Sequence, residues 1–251
     1  DWSSDVCSSD LASLGGNVEL IVVKATGDNQ NPSSIYNSYT GVQWACENGA
    51  NVVSMSYGSE NSSNAMQDLI YAYPEVVFIA AAGNDSSSTQ NYPAAYQNVI
   101  GVGSVDSNDL RSSFSNYNVG FPWVDIAAPG GYSYGGLLST VYTESLNGYA
   151  RFGGTSMATP FAAGLVGLML SVNPSLTPIQ IQNCLVNSGV DINQNIGPRI
   201  DAYQALLCVQ PENDNPIPAF TASPQVTFEN QSVIFSNNSV NGTNWVWTFE
   251  G

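Results

Sequence analysis

The 251-residue sequence contains no histidine and only four lysine or arginine residues, against 20 aspartate and glutamate residues. Without histidine, no side chain of this chain can act as an imidazole general base. The formal net charge of −16 argues against nucleic acids and anionic membranes as partners, because four cations cannot form a basic surface. No uninterrupted apolar run reaches about 18 residues, so we expect no transmembrane helix.

Cysteine is also scarce, and its spacing excludes some kinds of site. Cys7, Cys46, Cys184 and Cys208 form no Cys-x-x-Cys pair, so we do not expect a zinc site. Cys184 and Cys208 flank the last part of the main domain, and either a disulfide between them or two buried thiols would fit. Cys46 falls in a helix-like stretch and is expected in the core. No segment has calcium-ligand spacing, and we assign no metal ligand.

The chain divides into segments of different pattern. Residues 1–10 lack helical and strand periodicity and resemble translated sequencing-adapter read-through, with a natural polar loop as the alternative; they are set aside from fold reasoning. Residues 11–209 alternate apolar strands with helices. Residues 210–217 are polar and proline-rich, as is typical of a linker. Residues 218–251 alternate apolar and polar side chains, as half-exposed strands do, and strands are predicted there at 219–223, 232–236 and 244–249.

The regular part of the chain predicts a doubly wound, mostly parallel α/β sheet. Strand and helix patterns alternate, which favours right-handed crossovers. The helix that begins near residue 157 is apolar nearly all round, so we expect it to be buried in the middle of the domain. Strands are predicted at 18–25, 52–55, 76–82, 99–102 and 124–127, and helices at 34–48, 64–73, 157–172, 178–188 and 202–207.

One serine has a setting that suits chemistry. Residues 153–160 read Gly-Gly-Thr-Ser-Met-Ala-Thr-Pro and continue directly into the apolar helix. A glycine-hinged turn would expose the Ser156 hydroxyl, and the helix N-terminus would offer free N–H groups and a partial positive charge to an oxyanion. A structural N-cap serine is the alternative interpretation, because such serines are common.

Two other candidate segments lie where predicted strands end. Residues 80–85 read Ala-Ala-Ala-Gly-Asn-Asp, and residues 53–58 read Val-Ser-Met-Ser-Tyr-Gly. Parallel sheets bind ligands at the carboxyl ends of their strands. There the Asn84 amide could donate to an oxyanion, and the backbone at 56–58 could pair with an extended peptide. An Asn-Asp turn and a plain strand end are the alternatives.

Together these segments resemble the subtilisin-like serine peptidases, or subtilases, over almost all of residues 18–208. The order and spacing of the segments carry the resemblance. It extends to Tyr92-Pro93-Ala94 with the run 99–106 after it, to 114–117, to Ala128-Pro129-Gly130 and to 197–202. A carboxyl-type serine peptidase would have aspartate in place of Asn84. An α/β-hydrolase would need Gly-x-Ser-x-Gly, where Ala158 stands in this chain.

The resemblance implies a role for each candidate residue. Ser156 would be the acylating nucleophile, and the Asn84 side chain and the Ser156 N–H would donate to the oxyanion. The pocket for the residue before the scissile bond (P1) would have two walls. One wall would be formed by Ser56, Tyr57 and Gly58, and the other by Ala81, Ala82 and Gly83. Asp85 would lie at the rim, where its carboxylate would weakly favour a basic P1 residue.

The family needs two residues that this chain does not supply. In this family the chain order is Asp, His, Ser, so both partners of Ser156 should precede residue 18, where none of the residues can serve. We therefore expect that the chain is a fragment that begins after the catalytic histidine. Because the hydroxyl lacks its base, we also expect negligible proteolysis by the chain alone.

The tail carries a second resemblance. Residues 218–224, 233–236 and 245–251 are similar to the opening of a PKD-type β-sandwich domain, incomplete here. That resemblance implies binding to polymers or surfaces. Together the two imply a secreted or cell-surface endopeptidase that acts on extended polypeptides. No cofactor is assigned, although calcium stabilises many relatives. The alternative is a non-catalytic secreted protein that binds protein or polysaccharide with the same scaffold.

Overall fold

A parallel sheet is the centre of the first of two compact units, Asp1–Val209 and Gln210–Gly251. The computed structural model describes residues 18–27, 29–30, 34–131, 135–140, 148–210, 220–223 and 234–237. The sheet has the order β1–β2–β3–β4, with neighbouring strands parallel. Its strands are β1 (Val52–Met55), β2 (Val77–Ala81), β3 (Val99–Val105) and β4 (Ile126–Pro129).

Helices cover both faces of this sheet. They are α1 (Ser38–Glu47), α2 (Asn64–Ala72), α3 (Thr155–Val172), α4 (Pro178–Ser188) and α5 (Ala202–Val209). Successive strand side chains point to opposite faces. Phe78 and Ala80 therefore pack in the apolar layer of α1 and α2, whereas Val77 and Ile79 pack in the layer of α3, α4 and α5. The predicted parallel α/β architecture is confirmed.

The strand predicted at 18–25 is wrong. These residues are in no strand, and Val18, Leu20, Ile21 and Val22 are between 36% and 57% exposed. The segment passes beside two helices, close to Gly41 of α1 and Gly167 of α3. An apolar run indicates that burial would be favourable, but a strand also needs a hydrogen-bonding partner. Among the described residues, β1 pairs only with β2.

The long helix α3 is less enclosed than its composition predicts. It contacts all four strands of the sheet, and Ala158, Ala162, Leu165 and Val166 are fully buried there. Its opposite face is only half-buried, which corrects the prediction of burial on all sides. Among the described residues, α3 is the single helix long and apolar enough to cross a membrane by length and composition. Packing against the sheet accounts for that composition.

Helix α4 begins where its sequence predicts. The Thr177 hydroxyl caps the helix by accepting from the Gln180 N–H, the Gln180 side chain accepts from the Thr177 N–H, and Pro178 is the first helical residue. This capping box satisfies two N–H groups that the first turn leaves without partners. Cys184 of α4 and Cys208 of α5 form a disulfide, which resolves the open choice between a bridge and two thiols. Cys46 is buried and free, as predicted.

Removing this disulfide should destabilise the first unit. The bridge closes a loop with a sequence separation of 24, and a cross-link of that length lowers the entropy of the unfolded chain by an amount worth about 3 kcal/mol. We expect the variant Cys184→Ala/Cys208→Ala to lose that much unfolding free energy in guanidinium titrations. A reductant should destabilise the parent chain equally and leave the variant unchanged. A parent chain indifferent to reductant would contradict the prediction.

Two short pairs of antiparallel strands lie outside the parallel sheet. One joins β5 (Leu137–Thr140) to β6 (Tyr149–Phe152) in the first unit, and the sequence analysis did not predict it. The other joins β7 (Phe220–Ser223) to β8 (Ile234–Asn237) in the second unit, close to the strands predicted at 219–223 and 232–236. Three parts of the sequence analysis lie outside the described residues: the strand predicted at 244–249, residues 1–10 and most of the linker.

Candidate active site

A polar cavity lies where β1 and β2 end and α3 begins. Its volume is about 250 Å³, and it occupies the carboxyl edge of the sheet, where parallel α/β proteins bind ligands. It is lined by Ser56, Tyr57, Gly58, Ala81, Gly83, Asn84, Asp85, Asn91, Thr155 and Ser156. The structure therefore brings together the predicted site residues with one exception. Ala82 is fully buried and does not line the cavity.

Ser156 lies in the first turn of α3 and faces Ser56 across the cavity. Its hydroxyl donates to the Ser56 carbonyl oxygen at 3.1 Å, and the Ser56 hydroxyl donates in return to the Ser156 carbonyl oxygen at 2.9 Å. This reciprocal pair ties the end of β1 to the start of α3. A backbone carbonyl cannot remove the hydroxyl proton, so this contact does not make Ser156 nucleophilic.

Asn84 has its amide oriented by hydrogen bonds from Thr155. The Asn84 Oδ1 accepts from the Thr155 N–H at 2.9 Å and from the Thr155 hydroxyl at 3.0 Å. With Oδ1 occupied, the Nδ2 amino group is the part of the side chain left to donate to a ligand. Thr155 belongs to the 153–160 motif, but its role in holding Asn84 was not predicted. The motif does not show which residue the Thr155 hydroxyl contacts.

Two N–H donors border one space beside Gly154. A Cβ placed on Gly154 would lie 3.6 Å from both Asn84 Nδ2 and the Ser156 backbone nitrogen. The Ser156 N–H belongs to the first turn of α3, where amide groups have no partner within the helix. A glycine at position 154 leaves the space open. An anionic oxygen there would receive a backbone and a side-chain donor, and the positive end of the helix dipole lies beside it.

The loop that carries Asn84 is held by Asn116. Its Oδ1 accepts from the N–H groups of Asp85 and Ser87, and its Nδ2 donates to the Ala82 carbonyl oxygen. Gly83 has a φ of +105°, and a Cβ there would lie 2.5 Å from Asn116 Nδ2, so only glycine suits this position. Asn116 lies in the 114–117 run of the resemblance, but nothing in the sequence indicates its contacts.

We expect Asn116→Ala to lower the free energy of unfolding by about 3 kcal/mol, because it leaves two backbone N–H groups and a carbonyl without partners at a buried position. The change should be measured by denaturant titration. Asn118→Ala is a matched control, since its Oδ1 also accepts from two backbone N–H groups, those of Trp123 and Val124, but in another loop. Only Asn116→Ala should alter ligand binding in the cavity. Equal binding defects in both variants would contradict a local role.

The phenol of Tyr57 is neutral in this wall. Burial raises the pKa of Tyr57 to about 12, because a phenolate would lose hydration there. The wall therefore offers a hydroxyl and an aromatic face, but no charge. Asp85, at the exposed rim, is the single acidic residue among those that line the cavity.

Comparison with known proteins identifies relatives of this chain. The model of the subtilase family, peptidase S8, matches residues 8–213. Alkaline elastase YaB of a Bacillus species (strain YaB) is 39% identical over 178 residues, which are 70% of this chain and 44% of the relative. Subtilisin DY of Bacillus licheniformis is 38% identical over 186 residues, 71% of this chain and 64% of the relative.

A solved protease structure is also similar to this chain. A protease of Pseudoalteromonas arctica PAMC 21717 matches with a TM-score of 0.63 and 29% identity, over 68% of this chain and 58% of that chain. The matched part spans 44% and 64% of the length of the two curated relatives. Because the subtilase family model matches residues 8–213, which are most of the chain, the chain belongs to the subtilase family.

Proposed function

We propose that the protein containing this chain is a serine endopeptidase that hydrolyses peptide bonds through an acyl-enzyme on Ser156. The observation that supports the proposal is the space beside Gly154 that the Asn84 amide and the Ser156 N–H border, at a cavity that Ser156 and Asn84 both line. The Ser156 oxygen attacks the substrate carbonyl carbon, and the carbonyl oxygen becomes an oxyanion that accepts from both donors. The amine then leaves, and water hydrolyses the ester.

The substrate in this proposal is an extended polypeptide. The backbone at 56–58 continues from the end of β1 and lines the cavity beside Ser156, so a peptide laid along it would pair as an added strand. The P1 side chain would enter between the Ser56–Gly58 wall and the Ala81–Gly83 wall. The names of the relatives, an elastase, a subtilisin and a protease, support polypeptide as the substrate class.

The general base must come from residues outside this chain. The Ser156 hydroxyl donates a hydrogen bond to a backbone carbonyl oxygen, which cannot take its proton, and the chain has no histidine. The chain alone should therefore retain only the binding cleft and the oxyanion donors. In the intact protein, the family order Asp, His, Ser puts the two partners on a preceding segment.

The coding sequence upstream of residue 18 tests this proposal. We expect it to encode an Asp-Gly at a strand end and a His-Gly-Thr at a helix start, and we expect the longer product to hydrolyse amide bonds. Ser156→Ala in that product should abolish hydrolysis and leave peptide binding. A gene that lacks both upstream motifs would favour the second candidate function.

The second candidate is a non-catalytic protein that binds peptides or polysaccharides with the same cleft. The hydrogen bond that holds the Ser156 hydroxyl on Ser56 favours it, since that contact is compatible with a cleft that binds without cleaving. We further propose a secreted or surface location and a PKD-like module at 218–251, with β7 and β8 as two antiparallel strands of its sandwich. Calcium binding by the intact protein belongs to the same proposal, without assigned ligands.

A further inference from the structure

Three serines that are buried close to Asn116 are joined to one another by hydrogen bonds. Ser104, near the end of β3, and Ser115 are fully buried, and Ser112 is 5% exposed. The hydroxyls of Ser104 and Ser112 lie 2.8 Å apart and share a hydrogen bond, and the Ser115 hydroxyl accepts from the Ser104 N–H at 3.0 Å. We call these three residues the buried serine cluster. Replacing a buried hydrogen-bonded pair by apolar groups is nearly neutral for stability, so stability alone does not explain the Ser104–Ser112 pair.

One branch of the buried serine cluster leads to Asn84. The Ser115 hydroxyl donates to the Asn116 carbonyl oxygen at 3.1 Å, and the Asn116 N–H donates to the Gly83 carbonyl oxygen at 3.0 Å. The Asn116 Oδ1 accepts from the Asp85 N–H at 2.9 Å. Ser115 therefore fixes the backbone of Asn116, and Asn116 holds the residues on both sides of Asn84.

A second branch leads to the Ser156 N–H. A Cβ on Gly130 would lie 2.6 Å from Ser104 Oγ and 2.6 Å from the Gly154 carbonyl oxygen, so the Ser104 hydroxyl lies against the Gly130 backbone. The Gly130 carbonyl oxygen accepts from the Gly154 N–H at 2.7 Å. Gly154 is the N-cap residue of α3, and the Ser156 N–H belongs to the turn that follows it. Ser104 therefore supports the backbone from which this N–H projects.

We propose that the buried serine cluster positions both oxyanion donors, the Asn84 amide through Ser115 and the Ser156 N–H through Ser104. The inference rests on the proposed function, because it assigns these serines to the reaction at Ser156. Donors stabilise an oxyanion most when they are fixed in place before the charge develops, and a fully hydrogen-bonded polar network in a core is rigid. None of the three serines is among the described residues that line the cavity, so they are positioning residues and not catalytic residues.

A double-mutant cycle in the longer product of the gene, with the family's aspartate and histidine, tests the inference. The kcat and KM for one peptide substrate are measured for Ser115→Ala, for Asn84→Leu and for the double variant. We expect Ser115→Ala to lower kcat about tenfold with KM nearly unchanged, because the Asn84 amide is then less firmly oriented. In Asn84→Leu that amide is gone, so adding Ser115→Ala should lower kcat by about twofold at most.

The variant Ser104→Ala should behave differently in the same cycle. It keeps the Ser104 N–H that donates to Ser115 and removes the hydroxyl that lies against Gly130. Its loss of kcat, also about tenfold, should therefore persist in the Asn84→Leu background. Ser188→Ala is the matched control, since the Ser188 hydroxyl also donates to a backbone carbonyl oxygen, but within α4. The control should lower the free energy of unfolding and leave kcat unchanged.

The outcomes separate this inference from the proposed function. If the longer protein does not hydrolyse the peptide, both fail. If it does, but Ser115→Ala lowers kcat equally with and without Asn84 or no more than Ser188→Ala does, the inference fails and the proposed function stands. The inference also fails if the loss in Ser104→Ala vanishes in Asn84→Leu, because Ser104 would then not act on the Ser156 N–H. If Ser115→Ala does not fold, Ser115→Cys replaces it in the cycle, because a thiol occupies the same position but makes only weak hydrogen bonds.

Discussion

Joined to the upstream part of a subtilase domain, which carries the family's aspartate and histidine, this chain is expected to hydrolyse peptide amides about 10⁶-fold faster than it does alone. The magnitude is the one known for subtilisin, in which removal of either the catalytic serine or the catalytic histidine lowers kcat by about 2 × 10⁶. The reason is local, because the Ser156 hydroxyl donates to the Ser56 carbonyl oxygen, which is not basic enough to take its proton. A histidine would replace that contact and remove the proton during attack.

The comparison should be made at saturating substrate, so that kcat and not affinity is measured. Ser156→Ala in the joined protein is the matched control, and it should return the rate to that of the chain alone. A chain that by itself cleaves within tenfold of the joined protein would show that some other residue is the base, and the proposed mechanism would be wrong. A fluorophosphonate that labels Ser156 equally fast in both proteins would lead to the same conclusion.

The fold was largely predictable because its strands are buried on both faces. Val77–Ala81 is buried at every position, and such strands appear in sequence as continuous apolar runs that end at glycine or polar residues. The same reasoning failed at 18–25, a nearly continuous apolar run in which Val18, Leu20, Ile21 and Val22 are exposed. Apolar character measures a tendency to be buried, but pairing depends on a neighbour at the sheet edge, and that information is not local to the run.

The candidate site residues that lie within a recognisable sequence motif could be predicted, and those that depend on long-range contacts could not. Ser156 and Asn84 stand at strand or helix ends with glycine beside them, which marks exposed backbone at a ligand edge. Thr155 and Asn116 act through hydrogen bonds with residues between 29 and 71 positions away, and Asn91 reaches the cavity only through the fold. No periodicity or spacing encodes such contacts, because they arise only when strand ends from distant parts of the chain meet.

The position of Asn84 leads to a prediction that distinguishes a role in catalysis from a role in substrate binding. Its Oδ1 is held by Thr155 and its Nδ2 borders the space shared with the Ser156 N–H. A substrate carbonyl in the ground state is a weak acceptor, whereas the oxyanion carries a full negative charge. A donor in this place therefore stabilises the transition state much more than the substrate complex, so its loss should appear in kcat and not in KM.

In the joined protein we expect Asn84→Leu to lower kcat by about 10²–10³ with KM nearly unchanged; this magnitude is the loss known for the oxyanion-hole asparagine of subtilisin. Thr155→Val keeps the shape of Thr155 and its backbone N–H but removes the hydroxyl that donates to Asn84 Oδ1; a loss of about tenfold is expected, because the amide is then less firmly oriented. Gly154→Ala would put a methyl group into the space itself and should lower kcat while Asn84 remains. Steady-state kinetics on one peptide substrate measures all three variants. If Asn84→Leu raised KM and left kcat intact, Asn84 would bind the substrate and not the oxyanion. The losses of kcat expected for Thr155→Val and Gly154→Ala would then have no basis.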